Sequence, residues 1–215
     1  MLVLGIDTAS AGCGVALLEN GAILHERYEP MAKGQDAHLL PLVQTALRTA
    51  GKTPADINRI AVLRGPGSFT GLRIGLAAAR GLGLGLGIPV LGFDRLALYR
   101  AALDVSGDVL VVLDSRRDTL FCQYFPAGAS ASAPFLKLPM ELDGYDRAGL
   151  CVTGDATACR VWQQATIMSL PASEIIIATR EAGTADPAAY PHIPLYLRAP
   201  DVSCGPVPAV EEAAW

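Results

Sequence analysis

The chain is poor in the residues that usually carry chemistry. Its three histidines, His25, His38 and His192, are too far apart for local metal spacing, and nothing resembles H-E-x-x-H. Its five cysteines, Cys13, Cys122, Cys151, Cys159 and Cys204, never come closer than eight positions. That excludes C-x-x-C redox and zinc patterns and reads as a set of reduced thiols. No cysteine sits beside a histidine, and Ser68 lacks the second half of a G-x-S-x-G elbow, so the common nucleophile patterns are missing. Basic charge is also short: 17 Lys and Arg stand against 21 Asp and Glu, for a net charge of −4. The whole-molecule field therefore repels a nucleic-acid backbone, and if the protein works on RNA a partner is expected to do the gripping. The dense basic spots are Arg116 with Arg117, and scattered arginines between Arg73 and Arg100. No basic leader precedes Asp7 in "MLVLGIDTAS", which predicts a cytoplasmic protein.

At 215 residues, with 51% apolar and 18% charged, the chain suits one domain or two compact α/β lobes. The stretch from Ile74 to Gly92 is long enough to raise a membrane span. Arg80, Pro89 and the many glycines argue against it, and it reads as a buried helix followed by a strand.

"LVLGID", "GCGVALLEN" and "AILHERYE" predict an antiparallel three-strand meander. Asp36 can cap the helix that follows, whose stripe is Leu39, Leu42, Val43, Ala46, Leu47 and Ala50, stopped by Gly51. A strand in "TPADINRIAVL", a second helix from Thr70 to about Gly87, the strand "IPVLG" and a further helix complete a ribonuclease-H-like order over residues 1–103. From Asp108 the pattern restarts with "DVLVVLD", "TLFCQYF" and "APFLKLP", then the strand "LCVTGD" and a helix-like "ATACRVWQQA". The prediction is a shortened second lobe over 104–198 and a proline-rich C-terminal tail, 199–215, lying over the surface.

Between the two halves of the first lobe stands "RGPGSFTGLRIG", Arg64 to Gly75. It is not a P-loop, since no lysine follows to reach phosphates, and its glycines do not follow the dinucleotide pattern. What remains is a strand-to-helix turn stiffened by Pro66, with Ser68 or Thr70 as cap. Its amides could still receive an anion. Asp7, Thr8, Gly65, Gly67 and Ser68 are the candidate nucleotide or anion contacts. Asp7 and Asp114 end strands and suit either a cation in an actin-like cleft or an ordinary turn. In the helix beyond, Gly71, Gly75, Ala79, Gly83 and Gly87 recur every fourth residue, beside Ala77, Gly81 and Gly85. Each interior glycine costs about 0.8–1.0 kcal/mol against alanine, so close packing must return more. Packing onto the protein's own sheet and packing onto another subunit both remain open.

"LGIDTAS", "RGPGSFTGLRIG", "IPVLGFDRLALY", "VVLDSRR", "VTGD" and "PLYLR" together resemble the TsaB family, also called YeaZ, across nearly the whole chain. The resemblance implies an actin-like (ASKHA, ribonuclease-H-like) α/β fold of two lobes with the second truncated. It also implies a subunit without catalysis of its own that pairs with its paralogue TsaD and is joined by the ATPase TsaE. TsaD transfers threonylcarbamoyl to the adenosine next to the anticodon in tRNA. By the same resemblance the first two helices face TsaD, the chain alone forms homodimers, and tRNA is met mainly through the complex. ATP or ADP has room at the complex interface, with no cofactor held by this subunit alone. Gly71, Leu39, Val43, Leu72, Gly75, Leu76 and Ala79 are then the expected partner-facing residues.

Asp114 and Arg116 match the family's middle motif, but the acidic residue and aromatic beyond are replaced by "DTLF". Counted from Pro89, the two metal-binding histidines of the TsaD pattern fall on Arg95 and Tyr99, and its asparagine on Asp94. Neither Arg95 nor Tyr99 replaces an imidazole ligand, so no catalytic metal is expected. The alternatives are an ASKHA phosphotransferase or ATPase working through Asp7, and a glycoprotease, for which the sequence offers no nucleophile or ligand set.

Overall fold

A computed structural model describes residues 1–157 and 160–198. Cys159, Cys204 and the 199–215 tail lie outside them. The first sheet opens with β1 (Leu2–Asp7), β2 (Gly12–Glu19) and β3 (Ala22–Pro30), an antiparallel meander in strand order. Asn20 and Gly21 join β2 to β3 with φ of 51° and 84°, the doubly positive pair that a tight hairpin requires. β4 (Ile57–Gly65) then runs parallel to β1, and β5 (Val90–Asp94) parallel to β4, giving the order β3-β2-β1-β4-β5.

Helices cover both faces of this sheet. Leu2, Leu4 and Ile6 point to α1 (Gln35–Thr49) and α2 (Phe69–Leu86). Alternate residues, starting with Val3, point the other way, as the strand period requires. The predicted cap of α1 shifts: Gly34 occupies the N-cap at φ 94° without a side-chain bond, and Asp36 lies in the first turn. There its charge complements the helix dipole without capping an amide.

The second sheet repeats the plan. β6 (Asp108–Asp114), β7 (Leu120–Phe125) and β8 (Phe135–Lys137) form a meander; β9 (Leu150–Thr153) pairs parallel to β6, and β10 (Thr166–Ile167) to β9. The helix expected in "ATACRVWQQA" does not form over residues 160–165. Asp146 gathers the amides of Gln163, Gln164 and Ala165 at 3.0–3.1 Å, and the Trp162 indole donates to Thr157 O at 2.8 Å. One carboxylate serving three successive amides makes a turn where a helix would need carbonyl partners.

Two further helices join the halves. α3 (Arg95–Ala101) sends Leu96 and Tyr99 into the apolar layer that covers Val109, Val111 and Leu113 of β6. α4 (Glu174–Thr184) was not foreseen. It starts on Ser173, whose hydroxyl accepts from Ile176 N at 3.4 Å, and packs on β1, β2 and β4 opposite α1 and α2. Gly5 lets it approach: a Cβ there would lie 2.1 Å from Thr179 Oγ1. Residues 174–184, placed by chain order with the second lobe, thus pack on the first sheet.

Candidate functional site

The glycine loop seats α2 on the end of β1. A Cβ on Gly67 would meet Ala9 O at 2.2 Å, and one on Gly71 would meet Thr8 O at 1.9 Å. Ser68 N donates to Ala9 O at 3.0 Å, and the Thr8 hydroxyl to Gly71 O at 2.6 Å. Of the two candidate caps Ser68 is used, its Oγ accepting from Gly71 N at 3.2 Å.

This junction reassigns the candidate anion contacts. Asp7, Thr8 and Gly65 are buried. Asp7 Oδ1 accepts from the amides of Ala9 and Ser10 at 2.9 and 3.1 Å, and its Oδ2 from the Ser10 hydroxyl. Burial, aided by the charge of Glu174, raises the Asp7 pKa above 3.8 against the opposing pull of Arg95. Gly67 and Ser68 line a groove shared with Arg116, Arg117 and Arg198.

The seven expected partner-facing residues face inward. Leu39, Val43, Leu76 and Ala79 belong to the core beneath α1 and α2, Leu72 to the core with Phe93, and Gly71 and Gly75 are buried. The physical reason is the sheet itself: a Cβ on Gly75 would lie 2.4 Å from Thr8 Oγ1, and one on Gly83 2.4 Å from Val90 Cγ2. The ladder Gly71, Gly75, Ala79, Gly83 is therefore how α2 fits its own lobe. The neighbouring row faces out. Gly81 and Gly85 have nothing within 4 Å of a Cβ, Leu84 is 88% exposed, and Leu40 on α1 is 47% exposed.

Between the lobes Arg95 is 1% exposed and fully engaged. Its Nε and Nη2 donate to the two Glu174 oxygens at 2.5 and 2.7 Å, Nη2 also to Asp155 Oδ2 at 2.7 Å, and Nη1 to Pro66 O at 3.0 Å. Tyr99 donates to Glu174 Oε1 at 3.0 Å, and Asp155 Oδ1 accepts from Asp114 N at 2.7 Å. Burial works against the Arg95 charge, but Glu174, Asp155 and Asp7 outweigh it and hold its pKa well above the usual arginine value. Burial, with the charges of Glu174 and Asp155, raises the Tyr99 pKa. The network ties α3, α4, the glycine loop and the second sheet into one unit. Nearby the Arg116 guanidinium donates to Ser10 O, a second bond between lobes, with Arg116 N on Asp114 Oδ1 at 2.6 Å.

Beside this network a cleft of about 410 Å³ is lined by Asp7, Tyr28, Tyr99, Thr153 and Glu174 among others. The Thr153 hydroxyl is buried without a partner. Among the described residues, no group of three or more His, Cys, Asp or Glu is placed to hold a metal ion, and no helix is long and apolar enough to cross a membrane. Arg95 and Tyr99 were legible as the wrong residues for metal; their partners Glu174 and Asp155, 79 and 60 positions away, left no local signal.

A family model described as TsaD, tRNA N6-adenosine threonylcarbamoyltransferase, matches residues 29–131. The tRNA threonylcarbamoyladenosine biosynthesis protein TsaB of Escherichia coli (strain K12) is 39% identical over 124 residues, 56% of this chain and 53% of that protein. The chain thus spans about half the length of that curated relative. An uncharacterized protein of Mycobacterium tuberculosis is 34% identical over 209 residues, covering 93% of this chain and 92% of its own. Among solved structures, YeaZ from Pseudomonas aeruginosa superposes with a TM-score of 0.67 at 25% identity, over 91% of this chain and 99% of that one.

Proposed function

Since this chain belongs to the TsaB (YeaZ) family, we propose that it serves threonylcarbamoyladenosine formation in tRNA as a non-catalytic subunit that binds and supports TsaD. The reading includes TsaE as a third component, a homodimer when TsaD is absent, ATP or ADP at the complex interface, and a cytoplasmic setting. The observation that carries it is the outward face of α1 and α2. Leu84 stands 88% exposed and Leu40 47% exposed, beside Gly81 and Gly85, where no side chain fills the space. A bare stretch of α2 backbone lets a second helix approach closely, and exposed leucines gain from being covered.

The absence of catalysis is supported by the state of the groups between the lobes. The Glu174 and Asp155 carboxylates are engaged by Arg95, and Asp7 by the backbone and hydroxyl of its own turn. Light scattering of the chain mixed with the TsaD homologue of the same organism tests the reading. The native chain is expected to leave its homodimer for a one-to-one complex, and Leu84→Asp to remain folded while losing both. Separate elution of the native proteins under every nucleotide condition, with ATP turnover by the chain alone, would replace this reading with the ATPase one.

A further inference from the structure

A net charge of −4 conceals one face where arginines keep neutral company. Arg80 donates to His192 O. Arg73 donates from Nε to the Tyr196 hydroxyl at 3.3 Å, with its guanidinium carbon 3.9 Å from the centre of the Phe69 ring. Arg198 donates to the Thr119 hydroxyl, and Arg116 to Ser10 O. Arg64 belongs to the same run, bonding Ile193 O at 3.2 Å with Asp94 at 3.8 Å. Elsewhere Arg147 meets Asp108 at 2.8 Å and Arg27 meets Glu29 at 3.1 Å, while Arg59 and Arg100 stand singly and bond backbone carbonyls.

Residues 192–198 string these arginines along α2 and end in a groove of about 280 Å³ between the lobes. Ser68, Phe69, Arg116, Arg117, Tyr196 and Arg198 line it, and among the described residues no carboxylate does. Asp114 and Asp118 stand exposed on the flank, Asp114 taking the Arg116 amide. The half-buried Phe69 and the exposed Tyr196 pack on each other at 4.8 Å, with Arg73 over the Phe69 ring, so an aromatic pair lies among the charges.

A guanidinium bonded to a carbonyl or hydroxyl keeps its full charge, and it has donors to spare from its set of five. Its fork matches a phosphate, and exposed aromatic rings between such forks suit nucleobases. Arg73 and Arg80 are seven residues apart, about 10 Å along the helix, which suits two separate phosphates of a strand better than one nucleotide. We propose that this face binds the phosphate backbone of an RNA strand, with one phosphate in the groove between Ser68 and Arg198. The choice of RNA as the polyanion rests on the function proposed above; the arginine geometry does not.

The test is fluorescence anisotropy of the full chain with a labelled unmodified tRNA transcript between 50 and 200 mM salt. The native chain is expected to bind with an affinity that falls steeply with salt. Arg73→Gln/Arg198→Gln should weaken binding about tenfold or more and lower the log–log salt slope by roughly one per arginine. Arg27→Gln/Arg147→Gln, which removes two carboxylate-paired arginines, should leave it unchanged. Equal binding by both double variants, no binding at 50 mM salt, displacement of the RNA by stoichiometric ATP, or a preference for polyglutamate over RNA would each overturn the inference. Light scattering with TsaD on the same samples separates the two claims. Lost RNA binding with pairing intact sinks only this inference, and RNA binding without pairing sinks only the reading it rests on.

Discussion

The two sheets share a strand plan, yet the first owns its helices and the second borrows. The first is sandwiched between α1 and α2 on one face and α4 on the other. The second meets α3 on one face, through Leu96 and Tyr99, with Leu103 just past the helix end. Its other face is closed by the 3₁₀ stretch Pro139–Tyr145 and loop residues, with Leu142 at the centre and Tyr145 and Trp162 beside it. Duplicated strand order therefore does not give duplicated stability. A sheet that leans on a neighbour's helix is expected to stand or fall with the contact, and Arg95 holds that contact.

The sharpest way to break the comparison is Arg95→Met, which leaves the Glu174 carboxylate, 12% exposed, without its buried partner and cuts the tie to the exposed Asp155. A loss of about 3–5 kcal/mol is expected in chemical denaturation, with amides of β6 and β9 exchanging before those of β1 and β4. Uniform exchange across both sheets would show that the lobes are not separable in this way. Leu142→Ala is next, at about 2–5 kcal/mol for a leucine with no exposed surface. Its effect on exchange should stay in the second sheet if that lobe is the weaker.

Within the first lobe the glycines sort into two kinds. Gly71→Ala should destabilise by about 1–3 kcal/mol, because its Cβ would meet the Thr8 backbone carbonyl at 1.9 Å. Gly81→Ala, with open space around it, should raise the melting temperature through about 0.8–1.0 kcal/mol of helix propensity. Equal effects would mean the two rows were wrongly divided. The smallest expected effect is a pH dependence. The folded pKa of Asp7 lies above its unfolded value near 3.8, so its contribution is fully present below that value and is lost as pH rises through the folded pKa. Asp7→Asn should therefore gain melting temperature relative to the native chain between pH 4 and 7, and a constant difference would count against a burial-raised carboxyl.

Much of the architecture was legible because period and turn chemistry are local. The two meanders could be read without a tertiary contact, and the cap of α2 could be narrowed to Ser68 or Thr70. α4 could not, since three consecutive isoleucines, Ile175 to Ile177, favour strand by propensity, and only the docking of Thr179 against Gly5 settles them as helix. The glycine ladder was visible as a row, but which row meets the sheet depends on the angle at which Gly67 and Gly71 seat α2 on Ala9 and Thr8. Apolar residues in a stripe look alike from sequence whether they face a sheet or a partner, which is why Leu39 and Leu76 were chosen where Leu40 and Leu84 stand outside.

The late return of α4 sets a clock on synthesis. The last strand of the first sheet ends at Asp94 and α4 at Thr184, so Ala16, Leu18 and their neighbours lack their cover while the intervening residues are made. At about 5–20 residues per second that interval is roughly 5–18 s. For that time one side of a newly made sheet lies bare in the crowd around the ribosome, so a stall between those two points should leave the nascent chain open to chaperones and to aggregation.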